Sequence, residues 1–167
     1  MKAPQKAIVD FLTSHPIGAL STQNKNGKPE LTTVYFLVDP DLRCHVVTRV
    51  NTRKYKNSLH NQHGALLSYS ETELTSVEVS GRLEVVHDTI EVVKVFERFE
   101  SVVAPRRADY WIPPVSQLKA GLYVIITLIP SKILYRRYGS PERGKKKMTE
   151  VVLRRKKKVL ELQKVNQ

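Results

Sequence analysis

The chain predicts a mainly β protein with flanking helices, its antiparallel strands forming a barrel or a strongly curved sheet. Three observations point there. Short apolar runs of strand length recur along the chain, clusters of Asn, Gly, Pro and Asp separate them, and few segments show helical periodicity. At 167 residues the chain suits one domain, large enough to bury a core without disulfides or metal.

Ala7, Ile8, Phe11 and Leu12 recur at helical spacing after Pro4, and His15-Pro16 closes the segment. An N-terminal helix over one end of a sheet is expected. Residues 17–22 read as a strand, Asn24 to Pro29 as a turn and 31–38 as a second strand, together a hairpin. Asp39-Pro40-Asp41 then turns the chain into a third strand at 43–48. Residues 55–61 predict a short helix ending near Gly64, and 65–69 a further strand. Val77, Val79, Leu83 and Val85 alternate with Glu78, Ser80, Arg82 and Glu84, so this strand has one wet face, and Gly81 marks a bend. Ile90, Val93, Phe96, Phe99 and Val103 recur every three or four residues between charged ones, which makes 88–103 an amphipathic helix. Residues 106–119 read as a loop carrying Tyr110 and Trp111, and 122–129 and 133–138 as two last strands around Pro130-Ser131. The runs 31–38 and 122–129 are apolar on both faces, so a helix, a partner subunit or a ligand must cover the outer face.

Net charge is +12, but its distribution matters more than its sum. Residues 130–167 hold 13 Lys or Arg against three Glu, whereas 1–129 hold 15 against 13 acids. The basic character therefore belongs to a C-terminal extension, residues 140–167, expected as a basic helix or a charged tail that contacts an anionic partner. The body is residues 1–139. Cys44 is the sole cysteine, the start of the chain lacks a signal-like apolar run, and no stretch approaches membrane-spanning length, which predicts a cytoplasmic protein without a membrane span.

The most informative segment is Thr48-Arg49-Val50-Asn51-Thr52-Arg53-Lys54, where cations gather at the start of a helix. The backbone there carries partial positive charge and disfavours cations, so their presence beside a good N-cap, Asn51 or Thr52, points to a shared anion such as a phosphate. From Leu42 to Ser70 there is no Asp or Glu to neutralise Arg43, Arg49, Arg53, Lys54 and Lys56. The plain alternative is a solvated helix edge. His60 and His63 stand at i, i+3 with no Cys, Asp or Glu beside them to complete a metal set, so no metal is expected. Cys44 and His45 point to opposite faces of one strand and form no nucleophile–base pair; Cys44 is expected in the core.

The order of these signals resembles the pyridoxamine 5'-phosphate oxidase-like family of FMN-binding split barrels. The resemblance rests on Ile17-Gly18-Ala19-Leu20-Ser21-Thr22, Asn26-Gly27-Lys28-Pro29, residues 33–39, Thr52-Arg53-Lys54 with Asn57 behind it, and Ser76-Val77-Glu78-Val79-Ser80-Gly81-Arg82. It implies a split barrel of six to seven antiparallel strands over 1–139, a homodimer with FMN at the subunit interface, and flavin-dependent oxidoreductase activity on a small molecule. The flavin phosphate would rest on Thr52, Arg53 and Lys54, with Arg49 as helper. Backbone of Val47 and Thr48 would flank the ring, Thr33 is the polar candidate on the second strand, and Tyr110 and Trp111 are candidates to reach the partner's flavin. This chain has no arginine in the second strand, where some relatives carry one, which argues against pyridoxamine-phosphate oxidation itself. Deazaflavin (F420) reductases and haem-binding proteins on the same fold remain alternatives, haem requiring His45, His60 or His63 as ligand. A non-enzymatic flavin- or nucleic-acid-binding regulator is the alternative from another class.

Overall fold

Strand-length apolar runs fold here onto a shared interior. The computed structural model describes residues 3–103, 121–138, 148–156 and 159–163. Its elements are α1 (Ala3–Ser14), β1 (Ile17–Gln23), β2 (Pro29–Tyr35), β3 (Leu37–Val38), β4 (Cys44–Arg49), α2 (Arg53–His60), β5 (His63–Ser70), β6 (Thr75–Val86), α3 (Thr89–Val103), β7 (Tyr123–Tyr138), β8 (Met148–Lys156) and β9 (Val159–Gln163). All the strands pair antiparallel in one sheet, in the order β2-β1-β5-β6-β7-β4-β3, with β8 on the second half of β7 and β9 on β8.

Phe36 explains the curvature. The apolar run 31–38, expected as one strand, divides there into β2, which pairs β1, and β3, which pairs β4. These two strands stand at opposite ends of the sheet order yet are one residue apart in sequence, so the chain itself draws the two edges together into a split barrel. The Phe36 N–H donates to the Pro16 carbonyl at 2.9 Å, and its ring is buried in the interior with Val34, Val46, Leu66, Val79 and Ile126. Ile8, Phe11 and Leu12 of α1 complete this core, and Cys44 lies in it. Burial pushes the Cys44 thiol far up, with the charges of Asp39 and Asp41 adding to the effect.

β7 is apolar on both faces because α3 covers the outer one. Ile125 and Tyr123 pack with Val92, Val95, Phe96 and Phe99 in a second apolar layer. The last two expected strands are one, a continuous β7 of 16 residues. Pro130 does not break it because it lies between Leu128, the last residue paired with β4, and Lys132, the first paired with β8. Opposite, the β6–β7 register shifts between Ser80 and Gly81, which is the bend that Gly81 signalled.

The tail departs from the helical expectation. Residues 148–156 and 159–163 are strands, and β8 continues the barrel's own sheet through seven paired residues of β7. Successive residues Val152 and Leu153 are both buried, which a strand with two covered faces satisfies, and Arg136 Nε meets Glu150 Oε2 at 2.7 Å.

A polar chain pins α3 to the barrel. Arg98 Nη2 donates to Asp39 Oδ1 at 2.8 Å, His45 Nε2 donates to Asp39 Oδ2 at 2.8 Å, and His45 Nδ1 shares a hydrogen bond of 2.9 Å with Thr127 Oγ1. Burial alone would raise the Asp39 carboxyl, but the hydrogen bonds from His45 and Arg98 outweigh it and hold the group below its ordinary value of 3.8. A folded value below the unfolded one stabilises the fold above pH 3.8, and that contribution is lost as pH falls through the folded value. Asp39→Asn should therefore lower stability at pH 7 by about 1–3 kcal/mol. Urea unfolding as a function of pH checks this: the gap to wild type should close below pH 3.8, and a gap independent of pH would contradict the ion-pair account.

Candidate functional site

β4 delivers Thr48 and Arg49 to the mouth of the barrel, and the chain turns there into α2. Thr52 occupies the N-cap position in an extended conformation, but its side chain does not cap the helix. Its hydroxyl donates instead to the Arg49 carbonyl at 2.9 Å and lies 3.0 Å from Thr48 Oγ1, which is buried at the end of β4. The first N–H groups of α2 thus lack a side-chain cap, the first turn holds no acid, and Arg53 and Lys54 open the helix. Positive backbone and positive side chains converge on one spot.

Lys54 is half-buried, and burial first, then the Arg53 charge, hold its ammonium below its ordinary value of 10.5. Among the described residues no carboxylate pairs with it. Arg53 differs. Although its sequence neighbourhood is free of acids, β2 brings Glu30 Oε2 to 3.9 Å from Arg53 Nε. Asn57 Nδ2 donates to the same oxygen at 3.1 Å and to Thr22 Oγ1 at 3.0 Å, while Asn24 Nδ2 donates to Glu30 Oε1 at 3.3 Å. Buried Asn57 therefore fastens α2 to the β1–β2 hairpin and sets the direction of its first turn. The sequence reading missed Glu30. Its only signal was that no other acid occurs in residues 11–38.

Arg49 turns the other way. Its Nε donates to Tyr123 Oη at 2.8 Å and its guanidinium lies 5.6 Å from the Tyr123 ring centroid. With Val50, Asn51 and Leu122 these two line a cleft of about 310 Å³ beside the helix start. Val47 is half-buried against the α3 layer. β3 pairs only with Cys44 and His45, so among the described residues no strand occupies the edge of β4 at Val47 and Thr48 that faces away from β7. That edge offers backbone donors and acceptors to a planar polar ligand.

The structure brings Thr48, Arg49, Thr52, Arg53 and Lys54 into one turn, and it leaves Thr33 apart. Thr33 is exposed on the outer face of β2, and no hydrogen bond joins it to the turn. It shares that face with Ile17, Leu31, Leu67 and Tyr69, which are 44%, 68%, 46% and 54% exposed, so this part of the doubly apolar run is uncovered in a single chain. Tyr110 and Trp111 lie outside the described residues. His60 and His63 are exposed, and among the described residues no three His, Cys, Asp or Glu converge on a point. No helix there is long and apolar enough to cross a membrane.

A family model described as pyridoxamine 5'-phosphate oxidase matches residues 4–135. The chain belongs to this family. The match includes both hairpin strands, the cationic turn, α3 and most of β7, and it stops before β8. A pyridoxamine 5'-phosphate oxidase-related, FMN binding protein from Nostoc punctiforme PCC 73102 has a similar fold, with TM-score 0.71 at 12% identity over 100% of this chain and 99% of that one. An F420 reductase aligns with TM-score 0.58 and 22% identity, over 74% of this chain and 94% of that one. A heme binding protein from Mycobacterium smegmatis gives TM-score 0.58 and 13% identity, over 89% and 58%. Identities this low speak to the fold alone. No curated protein sequence matches the chain.

Proposed function

We propose that this member of the pyridoxamine 5'-phosphate oxidase family binds FMN and works as a flavin-dependent oxidoreductase on a small molecule. One observation carries the reading: a half-buried Lys54, with no carboxylate partner among the described residues, stands beside Arg53 at the uncapped start of α2. A phosphate would relieve the repulsion, accept from the free helix N–H groups and favour the charged form of the ammonium. Thr52, Arg53 and Lys54 would hold it, with Arg49 nearby. The open backbone edge at Val47 and Thr48 suits the ring's polar rim.

The uncovered face of Ile17, Leu31, Thr33, Leu67 and Tyr69 supports a homodimer, its second copy covering these residues and bringing Thr33, and Trp111 from the partner, toward the cofactor. When bound, the flavin itself accepts the hydride or electrons, so this chain's residues bind, orient and exclude water. A buried lone Cys44 accords with a cytoplasmic setting.

The same cations would serve a deazaflavin (F420) phosphate. Haem is disfavoured at His45, whose two ring nitrogens are both engaged by Asp39 and Thr127. Titrating the protein with FMN and with riboflavin, followed by flavin fluorescence, tests the phosphate directly. FMN should bind roughly 100-fold or more tightly, as expected for one or two charge-assisted contacts. Equal affinities would remove the phosphate from the account.

A further inference from the structure

Where the second half of α1 meets the start of β6 and the end of β7, a cavity of about 220 Å³ opens between groups of opposite charge. It stands at the other end of β7 from the flavin site: Tyr123, beside Arg49, begins that strand, and Arg137 nearly ends it. Asp10 and Phe11 line the cavity from the helix, Glu73 and Thr75 from the turn into β6, and Tyr135 and Arg137, two apart and so on one face, from β7. Both acids are held in place. Asp10 Oδ2 meets Lys6 Nζ at 2.6 Å, one helical turn away. Glu73 Oε1 lies 3.5 Å from His15 Nε2, and the His15 ring stacks on Phe11 with centroids 4.5 Å apart. The Glu73 N–H donates to the Ser70 hydroxyl at 3.3 Å, and the buried Thr75 hydroxyl donates to the Glu73 carbonyl at 2.9 Å. The Arg137 guanidinium, by contrast, forms no ion pair or hydrogen bond among the described residues, and neither does the Tyr135 hydroxyl. Arg137 thus lines the same cavity as two carboxylates and pairs with neither.

We infer that this cavity binds a free α-amino acid as its zwitterion, a function separate from flavin binding. The ammonium group donates to Asp10 and Glu73, the carboxylate accepts from Arg137 and the Tyr135 hydroxyl, and a small apolar side chain rests against Phe11. Three features select that ligand. Opposite charges that share a cavity without closing on each other leave room for a molecule that carries both, and each end then gains a charge-assisted hydrogen bond. Lys6 and Arg137 balance Asp10 and Glu73, so a ligand without net charge suits the site better than a simple cation or anion. The size also fits. At roughly 30 Å³ for each water of the liquid, the cavity has room for about seven, enough for a compact amino acid but not for a nucleotide.

The test is isothermal titration calorimetry of the full chain with L-alanine, L-valine and L-leucine, followed by two derivatives of the one that binds best: its amide, which lacks the carboxylate, and its N-acetyl form, which lacks the ammonium. Each derivative should bind roughly tenfold more weakly than its parent, the lower end for hydrogen bonds to charged groups because both acids are half exposed. Arg137→Gln should weaken the amino acid by a similar factor and leave the amide unaffected, while Glu73→Gln should weaken the amino acid and leave the N-acetyl form unaffected. Circular dichroism melting verifies that both variants fold, and their FMN titrations should match wild type, so loss of amino-acid binding is read independently of the flavin site. Absence of binding by all three amino acids at millimolar concentration, a derivative that binds as tightly as its parent, or undiminished amino-acid affinity in Arg137→Gln would each overturn the inference.

Discussion

Lys54→Ala is expected to weaken FMN binding on the order of 10- to 150-fold while leaving riboflavin affinity unchanged, the equivalent of about 1.5–3 kcal/mol for a hydrogen bond to a charged group. The selectivity comes from position. Lys54 lies at the start of α2, where its ammonium is already disfavoured by burial and by Arg53, and no carboxylate among the described residues shares it. Arg53→Ala should cost less, because Glu30 at 3.9 Å offsets part of the Arg53 charge before any ligand arrives. Stability should respond in the opposite sense. Without cofactor, Lys54→Ala removes a partly desolvated cation and should melt at or above the wild-type temperature; with FMN saturating wild type, the order reverses. FMN affinity of the wild type should also fall with rising pH at values below 10.5, since the free protein gives up the Lys54 proton early. Isothermal titration across pH reads both effects. A variant that retains full FMN affinity would take Lys54 out of the site.

Gly81→Ala should be strongly destabilising, costing about 3 kcal/mol or more. A Cβ there would stand 2.0 Å from the Ile129 carbonyl oxygen, 2.9 Å from its carbon and 3.0 Å from Pro130 Cα. These are backbone atoms that cannot rotate away. Relief requires β6 and β7 to separate or the bulge to be lost, and loss of the bulge shifts one half of β6 by a residue relative to β7. Such a slip turns Leu83 outward and Arg82 inward. For a chain of this size the expected fall in Tm is roughly 6–12 °C. Differential scanning fluorimetry of Gly81→Ala checks it, and a Tm unchanged from wild type would mean that the close approach of the two strands is not as described.

The parts of this fold that were legible are those governed by local patterns. Alternation at Val77, Val79 and Leu83 located β6, and helical periodicity located α3, although its covering face is Val92, Val95, Phe96 and Phe99 and the expected stripe residue Ile90 is exposed. The doubly apolar run 122–129 announced a covering element, which proved to be α3. Partner choice was not legible. Residues 31–38 look the same whether they pair one strand or two, and only the curvature of the sheet splits them at Phe36. Pro130 reads as a strand break in sequence, yet it sits where the edge of β7 changes partners and needs no N–H. In the tail, cations interrupt helical and strand periodicity alike, so burial of Val152 and Leu153 on the sheet decides the conformation.

The site divides in the same way. The cationic turn was visible because charge at a helix start is a local feature, while its regulators came from far away in sequence: Glu30 beside Arg53, and Tyr123 beneath Arg49. Thr33 was assigned through resemblance, and in a single chain it lies on the uncovered outer face, where a second copy would have to bring it to the cofactor.

The most direct test of the central claim is the absorbance spectrum of the freshly purified protein, taken again after incubation with FMN and desalting, with Lys54→Ala in parallel. The bands of oxidised flavin, persisting in wild type and fading in the variant, are the predicted result. A protein that stays colourless after FMN, or that shows the spectrum of a deazaflavin or of haem, would contradict FMN as the cofactor held at the start of α2.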